Sequence, residues 1–398
     1  MEDDDEADSE LEKKPKGKSR RPKEDDFTQQ RLKAIHPILT ASAVIPMFVC
    51  LAIIFIPIGA SMLHASNNVQ DFTINYAECS TRANSDTWTD VPLELYTHHF
   101  KSKVSTTPKW KLARNDSFVW DGFDEERNIC QLQFEIPNNL KGPLFLFYKL
   151  TGFHANHRQY VKSFSEDQLN GKDASVSVIK DTVGQNCQPL SVDDAGKIIY
   201  PCGLIANSMF NDTFESTLFA VNDTDASNYA MTTDGIAWST NKNRFKKTSY
   251  NLSSIVPPPN WSKLYPNGYN ETNLPDIGHW PQFQNWMSPA ALSDFSNMAL
   301  RNDHDTLTRG LYQLSVGLHF PTTEYHGGKY VYLSTASSIG GKNAFLGISW
   351  IVGGLICLAL ALVLAFGVLV KGRRPGDTNL LSWNRHHDGH DDHTDHTD

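Results

Sequence analysis

The side chains that most readily do chemistry are present in this chain of 398 residues, but not in arrangements that carry it out. His154 and His157 flank Ala155-Asn156 at a spacing that ligates a metal only from one face of a helix. They follow a strand-like run, so a structural role is the expectation. Gly327-Gly328-Lys329 and Gly340-Gly341-Lys342 look like fragments of phosphate loops, yet neither has the GxxxxGK[ST] pattern. There is no DKTG-like sequence for aspartyl phosphorylation and no GxSxG elbow. Carboxylates are plentiful at 45, but nothing pairs two of them in one acid–base site. The run His386–Asp398 holds five histidines and five aspartates, a low-complexity composition that reads as a solvated, disordered tail. The expectation is a non-catalytic protein with no cofactor and no metal.

What the sequence does contain is hydropathic contrast. Mean hydropathy is −0.40, yet residues 37–63 and 344–370 carry no Asp, Glu, Lys or Arg. Each run would make a helix about 40 Å long, enough to cross a hydrocarbon core of about 30 Å with some tilt. The first is too long, and too far from the N-terminus, for a cleavable signal peptide. The organisation read from this is a cytosolic, largely disordered tail over 1–36, spans over 37–63 and 344–370, a large domain over 64–343, and a disordered tail over 371–398. Net charge is −9, and no basic stripe interrupts the acidic middle segment, which argues against nucleic acid as partner.

Three features orient the chain. Lys18, Arg20, Arg21, Lys23, Arg31 and Lys33 precede the first span, and Lys371, Arg373 and Arg374 follow the second. Basic flanks stay cytosolic, so both tails face the cytosol and the middle is lumenal or extracellular. Six Asn-X-Ser/Thr sequons, at Asn115, Asn211, Asn222, Asn251, Asn260 and Asn270, all fall in that middle and are the expected glycosylation sites. Cys79, Cys130, Cys187 and Cys202 lie there too, where disulfides persist. Four cysteines allow three connectivities. The economical one pairs neighbours, Cys79–Cys130 and Cys187–Cys202, leaving Cys50 and Cys357 as small apolar residues of the spans.

The lumenal segment reads as β-rich. Ile129–Ile136, Leu144–Phe153, Val176–Ile179, Leu311–Phe320 and Tyr330–Ser334 are short, aromatic or β-branched runs bounded by Gly, Pro and Asn. One helical segment is expected over Trp280–Leu300, interrupted by Pro289. The fold class is an antiparallel β-sandwich with helical and loop insertions. Residues 248–285, with six prolines and three sequons, form a connection long enough to be a partner-facing surface.

Several blocks resemble one family. They are Phe27–Pro37 (FTQQRLKAIHP), the proline-bearing Phe55-Ile-Pro-Ile-Gly59, Tyr148–Ser163 (YKLTGFHANHRQYVKS), Cys187-Gln-Pro-Leu190, Tyr200–Asp212 (YPCGLIANSMFND), Gly235–Phe245 (GIAWSTNKNRF) and Gly340–Gly347 (GGKNAFLG). In this order, and covering about residues 27 to 370, they resemble the cell division control protein 50 family, also called ligand-effect modulator 3 or transmembrane protein 30. Two departures stand out. Some members carry a nested extra cysteine pair in the first lumenal stretch, and Trp280–Leu300 matches only loosely.

The resemblance implies a non-catalytic beta subunit that forms a heterodimer with the catalytic subunit of a type IV P-type ATPase, a phospholipid flippase. It further implies support for folding, endoplasmic reticulum exit and transport of an aminophospholipid, phosphatidylserine first, with residence in the endoplasmic reticulum, Golgi, endosomes and plasma membrane. Residue by residue, Phe27, Gln29, Gln30, Arg31 and Lys33 suit contact with anionic membrane lipids or a cytosolic ATPase domain. Gly347, Gly354 and Ala361 form a small-residue stripe that lets helices approach closely, either to the partner or to the first span of the same chain. Asn156, His157, Arg158 and Tyr160 form a polar cluster after a central strand, read as structural. The rivals are a two-span ligand-gated channel, which would need more lumenal cysteines and a polar pore residue, and an adhesion glycoprotein.

Overall fold

The computed structural model describes residues 26, 27, 30–32, 40–114, 128–221 and 226–370. Two 27-residue helices, Ala41–Asn67 and Ala344–Val370, are long and apolar enough to cross a membrane, and a β-rich domain lies between them in sequence. The second coincides with the uncharged run. The first continues past Leu63 to Asn67, ending where His64, Asn67 and Asn68 replace the apolar side chains. The chain divides into two compact units. One is Phe55–Val352, which holds the β-domain with the adjoining turns of both long helices; the other is Met1–Ile54 with Gly353–Asp398.

Nine strands make the frame: β1 (Asp71–Asn75), β2 (Tyr96–His99), β3 (Lys109–Arg114), β4 (Asn128–Ile136), β5 (Leu144–Thr151), β6 (Thr217–Ala220), β7 (Phe295–Asn302), β8 (Gly310–Gly317) and β9 (Gly328–Thr335). One sheet runs β7-β5-β9-β1-β2. The other runs β6-β8-β4-β3, extended at its ends by the two-residue strands Tyr229–Ala230 and Thr89–Asp90. Every pairing within these two sheets is antiparallel.

Period-two patterning explains the sandwich. On β5, Leu144, Leu146, Tyr148 and Leu150 are buried, while the residues between them are half-buried. On β4 the buried face is Cys130, Leu132, Phe134 and Ile136, and on β8 it is Tyr312, Leu314 and Val316. The inner faces meet where Phe72 of β1 stacks on Phe134 of β4, ring centroids 4.7 Å apart. Each such apolar side chain taken fully from water contributes roughly 1.5–3 kcal/mol.

Two local expectations are corrected. Helix persists only over Pro281–Trp286 of the Trp280–Leu300 segment, and residues from Phe295 form β7 at a sheet edge. The reason is that β5 offers an unpaired edge. Backbone pairing from Phe295↔Leu150 to Asn302↔Leu144, with an irregularity at Met298/Leu300, outweighs the local helical pattern. The run Val176–Ile179 is one helical turn, Val176–Lys180, in which Ile179 alone is buried. With a single side chain to bury, the β-branched content had no sheet to join, and tertiary context overrode propensity.

Cys79 is joined to Cys130 and Cys187 to Cys202, while Cys50 and Cys357 are free. The closures span 51 and 15 residues, which by the chain-entropy account stabilise the fold by about 4 and about 3 kcal/mol. The first ties the short helix Cys79–Arg82, beyond β1, to β4 and so links the two sheets covalently.

Candidate functional site

Nearest the N-terminus, Asp26 and Phe27 open a turn closed by Gln30 N–H donating to the Phe27 carbonyl and Arg31 N–H to the Asp26 carbonyl. Phe27 is 75% exposed and Leu32 62%, so this segment presents apolar as well as basic groups. Gln29 and Lys33 lie outside the described residues.

Gly347, Gly354 and Ala361 are all buried in the isolated chain. A Cβ at Gly347 would meet the Leu63 backbone nitrogen at 2.8 Å and the Gly59 carbonyl oxygen at 3.0 Å. One at Gly59 would meet Gly347 and Ile351 at 2.8 Å. Phe55 packs edge-on against Trp350, 4.7 Å between centroids, one turn away. At Gly347 the stripe therefore fastens one long helix to the other, and of its two alternative roles the intramolecular one is observed there. The outward faces are apolar and open: Ile53, Ile54 and Ile58 on the first helix, and Phe345, Ile348 and Val352 on the second, are exposed.

The polar cluster after β5 splits in two. Asn156 Nδ2 donates to the Ala291 carbonyl at 2.9 Å, and the Tyr160 hydroxyl lies 2.8 Å from Ser208 Oγ, against Phe153. Burial pushes the Tyr160 phenol up to about 12. His154, Asn156, His157 and Arg158 are all exposed, on the first turn of the helix Arg158–Lys162 and the loop before it, and Tyr160 is half-buried. Among the described residues no group of three or more His, Cys, Asp or Glu could hold a metal ion.

Sequence reasoning missed the polar centre of the domain. The Asp212 carboxylate, fully buried, accepts from Lys329 Nζ at 2.8 Å, from Tyr76 OH at 2.9 Å, and from the backbone N–H groups of His319 and Phe320 at 2.6 Å each. Lys329 Nζ also donates to the Phe320 carbonyl and sits over the Tyr76 ring. Burial, then the neighbouring Asp212, holds the Tyr76 phenol well above its ordinary range. A buried pair persists only when further hydrogen bonds support it, and here the carboxylate accepts four and the ammonium donates two. A signal was present: Lys329, Val331 and Leu333 share one face of β9, so alternation alone puts a lysine in the core, where it needs an acid. Gly327-Gly328-Lys329 is thus a core ion-pair donor. Trp238, 79% exposed in the Gly235–Phe245 block, was also missed.

Of the six sequons, Asn251, Asn260 and Asn270 are exposed and Asn211 is half-buried; Asn115 and Asn222 lie outside the described residues. Asn251 and Asn270 each accept, through Oδ1, from the backbone N–H and the hydroxyl of their own sequon's third residue. A cleft of about 710 Å³ opens in the domain beside Asn211 and Asn260, walled by Phe210, Phe214, Trp261 and Trp280.

Two membrane-length helices flanking a disulfide-bonded β-rich domain fit a two-span membrane protein with a large β-domain. The chain belongs to the LEM3 (ligand-effect modulator 3) family / CDC50 family, whose model matches residues 62–374. It is similar to the phospholipid-transporting ATPase accessory subunit LEM3 of Saccharomyces cerevisiae, 48% identical over 369 residues, covering 92% of this chain and 88% of that protein. It is also similar to the phospholipid-transporting ATPase accessory subunit CDC50 of Chaetomium thermophilum, at 38% identity with 92% and 91% covered. Cell cycle control protein 50A of Bos taurus is 35% identical, with 87% and 89% covered.

Proposed function

We propose that this chain is the non-catalytic accessory subunit of a type IV P-type ATPase and forms a heterodimer with it. The observation that carries the reading is the near full-length likeness to relatives named as accessory subunits of phospholipid-transporting ATPases. In this reading the ATPase hydrolyses ATP and moves the lipid. The present chain supports its folding, its exit from the endoplasmic reticulum and its transport cycle, with phosphatidylserine as the first cargo to test. The basic flanks and the sequons support cytosolic tails, a lumenal β-domain carrying N-glycans, and residence along the route from endoplasmic reticulum to Golgi, endosomes and plasma membrane.

Partner contact is assigned to three places. They are the exposed apolar faces around Ile58 and Ile348, the exposed His157–Arg158 and Trp238 loops of the β-domain, and Phe27–Lys33. Because Gly347 already packs against Gly59 of the same chain, this reading favours the outward faces over the small-residue stripe for the membrane contact. Purifying the tagged full chain in mild detergent and identifying stoichiometric companions tests this. The expected companion is a P-type ATPase. An ATPase that reaches its membrane and flips lipid equally well in cells lacking this chain would overturn the reading.

A further inference from the structure

The cleft beside Asn211 is lined by the complete tripeptides of two sequons, Asn211-Asp212-Thr213 and Asn260-Trp261-Ser262. Its walls are aromatic stacks. Tyr148 lies flat on Phe210 at 4.0 Å, with Phe214 and Phe320 against Phe210; across the opening, Trp261 meets Trp280 at 5.5 Å. Among the residues lining it, Asn211 Oδ1 and the Tyr325 hydroxyl are enclosed yet make no hydrogen bond. Such orphaned groups cost free energy and call for a partner. The backbone that carries Asn211 is held in place, because the carboxylate of the next residue, Asp212, accepts four hydrogen bonds in the core.

We propose that this cleft is the seat of the proximal N-acetylglucosamine rings of the glycan carried on Asn211. The inference rests on the lumenal, glycosylated reading above and adds where one glycan goes. A pyranose ring has one face of axial C–H groups that stacks on indole and phenyl rings, and its hydroxyls and acetamido N–H satisfy orphaned acceptors. The cavity falls in the range of about 300–1,000 Å³ that encloses small ligands. The sugar is tethered to the wall, so occupancy needs no free ligand and little loss of translational freedom. Asn260, exposed at the rim, would send its own glycan outward, as would Asn251 and Asn270.

The test uses the full chain, purified from a eukaryotic host that makes high-mannose glycans. Endoglycosidase H, which cuts between the two proximal N-acetylglucosamines, is applied to the native protein, and each site is followed by glycopeptide mass spectrometry. Asn251, Asn260 and Asn270 should be trimmed readily, and Asn211 at least about tenfold more slowly, since cleavage there waits on local opening. Denaturation should erase the difference. Trp280→Ala should speed native cleavage at Asn211 while leaving Asn251 and Asn270 unchanged. If Asn211 is glycosylated but trimmed as fast as Asn270, the seating is wrong and the glycosylation reading stands. If Asn211 carries no sugar while other sites do, the proposal falls at its first step. If no sequon carries sugar, the lumenal orientation fails with it.

Discussion

Replacing Lys329 with Met removes the only side-chain cation bonded to Asp212 among the described residues, and leaves a fully buried carboxylate held by Tyr76 and two backbone N–H groups. Breaking a buried pair by removing one member costs about 3–5 kcal/mol, and three surviving hydrogen bonds place Lys329→Met at the low end. Asp212→Asn should cost more. Its NH₂ must point either at the two backbone donors or at Lys329 and Tyr76, so donor faces donor whichever way the amide turns. It nevertheless preserves a sequon at Asn211, so glycan occupancy is not confounded. At about 2–4 °C per kcal/mol for a domain of this size, Lys329→Met should lower Tm by at least about 6 °C and Asp212→Asn by more. The assay is the temperature at which the detergent-solubilised, fluorescently tagged chain loses its monodisperse elution peak. Combining the two substitutions should cost less than their sum, because each removes the other's burden. A Lys329→Met shift below about 2 °C, or strict additivity in the double variant, would refute the hub as a stabilising unit.

Three further outcomes follow from the geometry. Gly347→Leu should lower the thermal midpoint of the chain by itself, because its side chain meets the Leu63 backbone; Ile348→Ala, on the outward face, should leave that midpoint unchanged and weaken capture of the partner. Burial works to raise the pKa of Glu135, but hydrogen bonds from Thr106 and Ser105 prevail and hold it below the ordinary range. Its stabilisation is therefore complete above the usual glutamate value of about 4.3 and lost as pH falls through the lower folded value. Midpoints of wild type and Glu135→Gln should accordingly converge in acid, and a constant gap from neutral pH downward would contradict the assignment. Deleting residues 27–33 should leave co-purification with the ATPase largely intact while changing its turnover, since a short segment buries little area. Loss of the complex would show that this segment anchors it.

The legible regions of the fold were those where one signal sufficed. An uncharged run of 27 residues specifies its own helix, and short aromatic or β-branched runs bounded by Gly, Pro and Asn marked β4 and β5. The segment Phe295–Asn302 was not legible, because its strand state comes from the open edge of β5, more than 140 residues earlier in the chain. The hub was half legible: β9 announces a buried lysine, but nothing local identifies Asp212, 117 residues away, as its acid. The small-residue stripe showed that something approaches Gly347 closely, and only the folded chain could say that it is Gly59.

The strand that leaves the first long helix and the strand that leads to the second are neighbours: β1 pairs with β9, with Asp71 opposite Ser334, and Thr335 N–H reaches the Gln70 carbonyl just outside the ladder. Because the pairing is antiparallel, both helices emerge from the same end of this ribbon. A force that spreads the helices, such as a transporter changing shape between them and its own bundle, would load that ribbon as a zipper. Its hydrogen bonds would then break in succession instead of sharing the load. The glycine contact at Gly59 and Gly347, and the Asn343 N–H bond to buried Ser66 Oγ, sit where the slider of that zipper would start. They act as a mechanical stop. Prising the helices apart would have to break these contacts before any strain reached the sandwich.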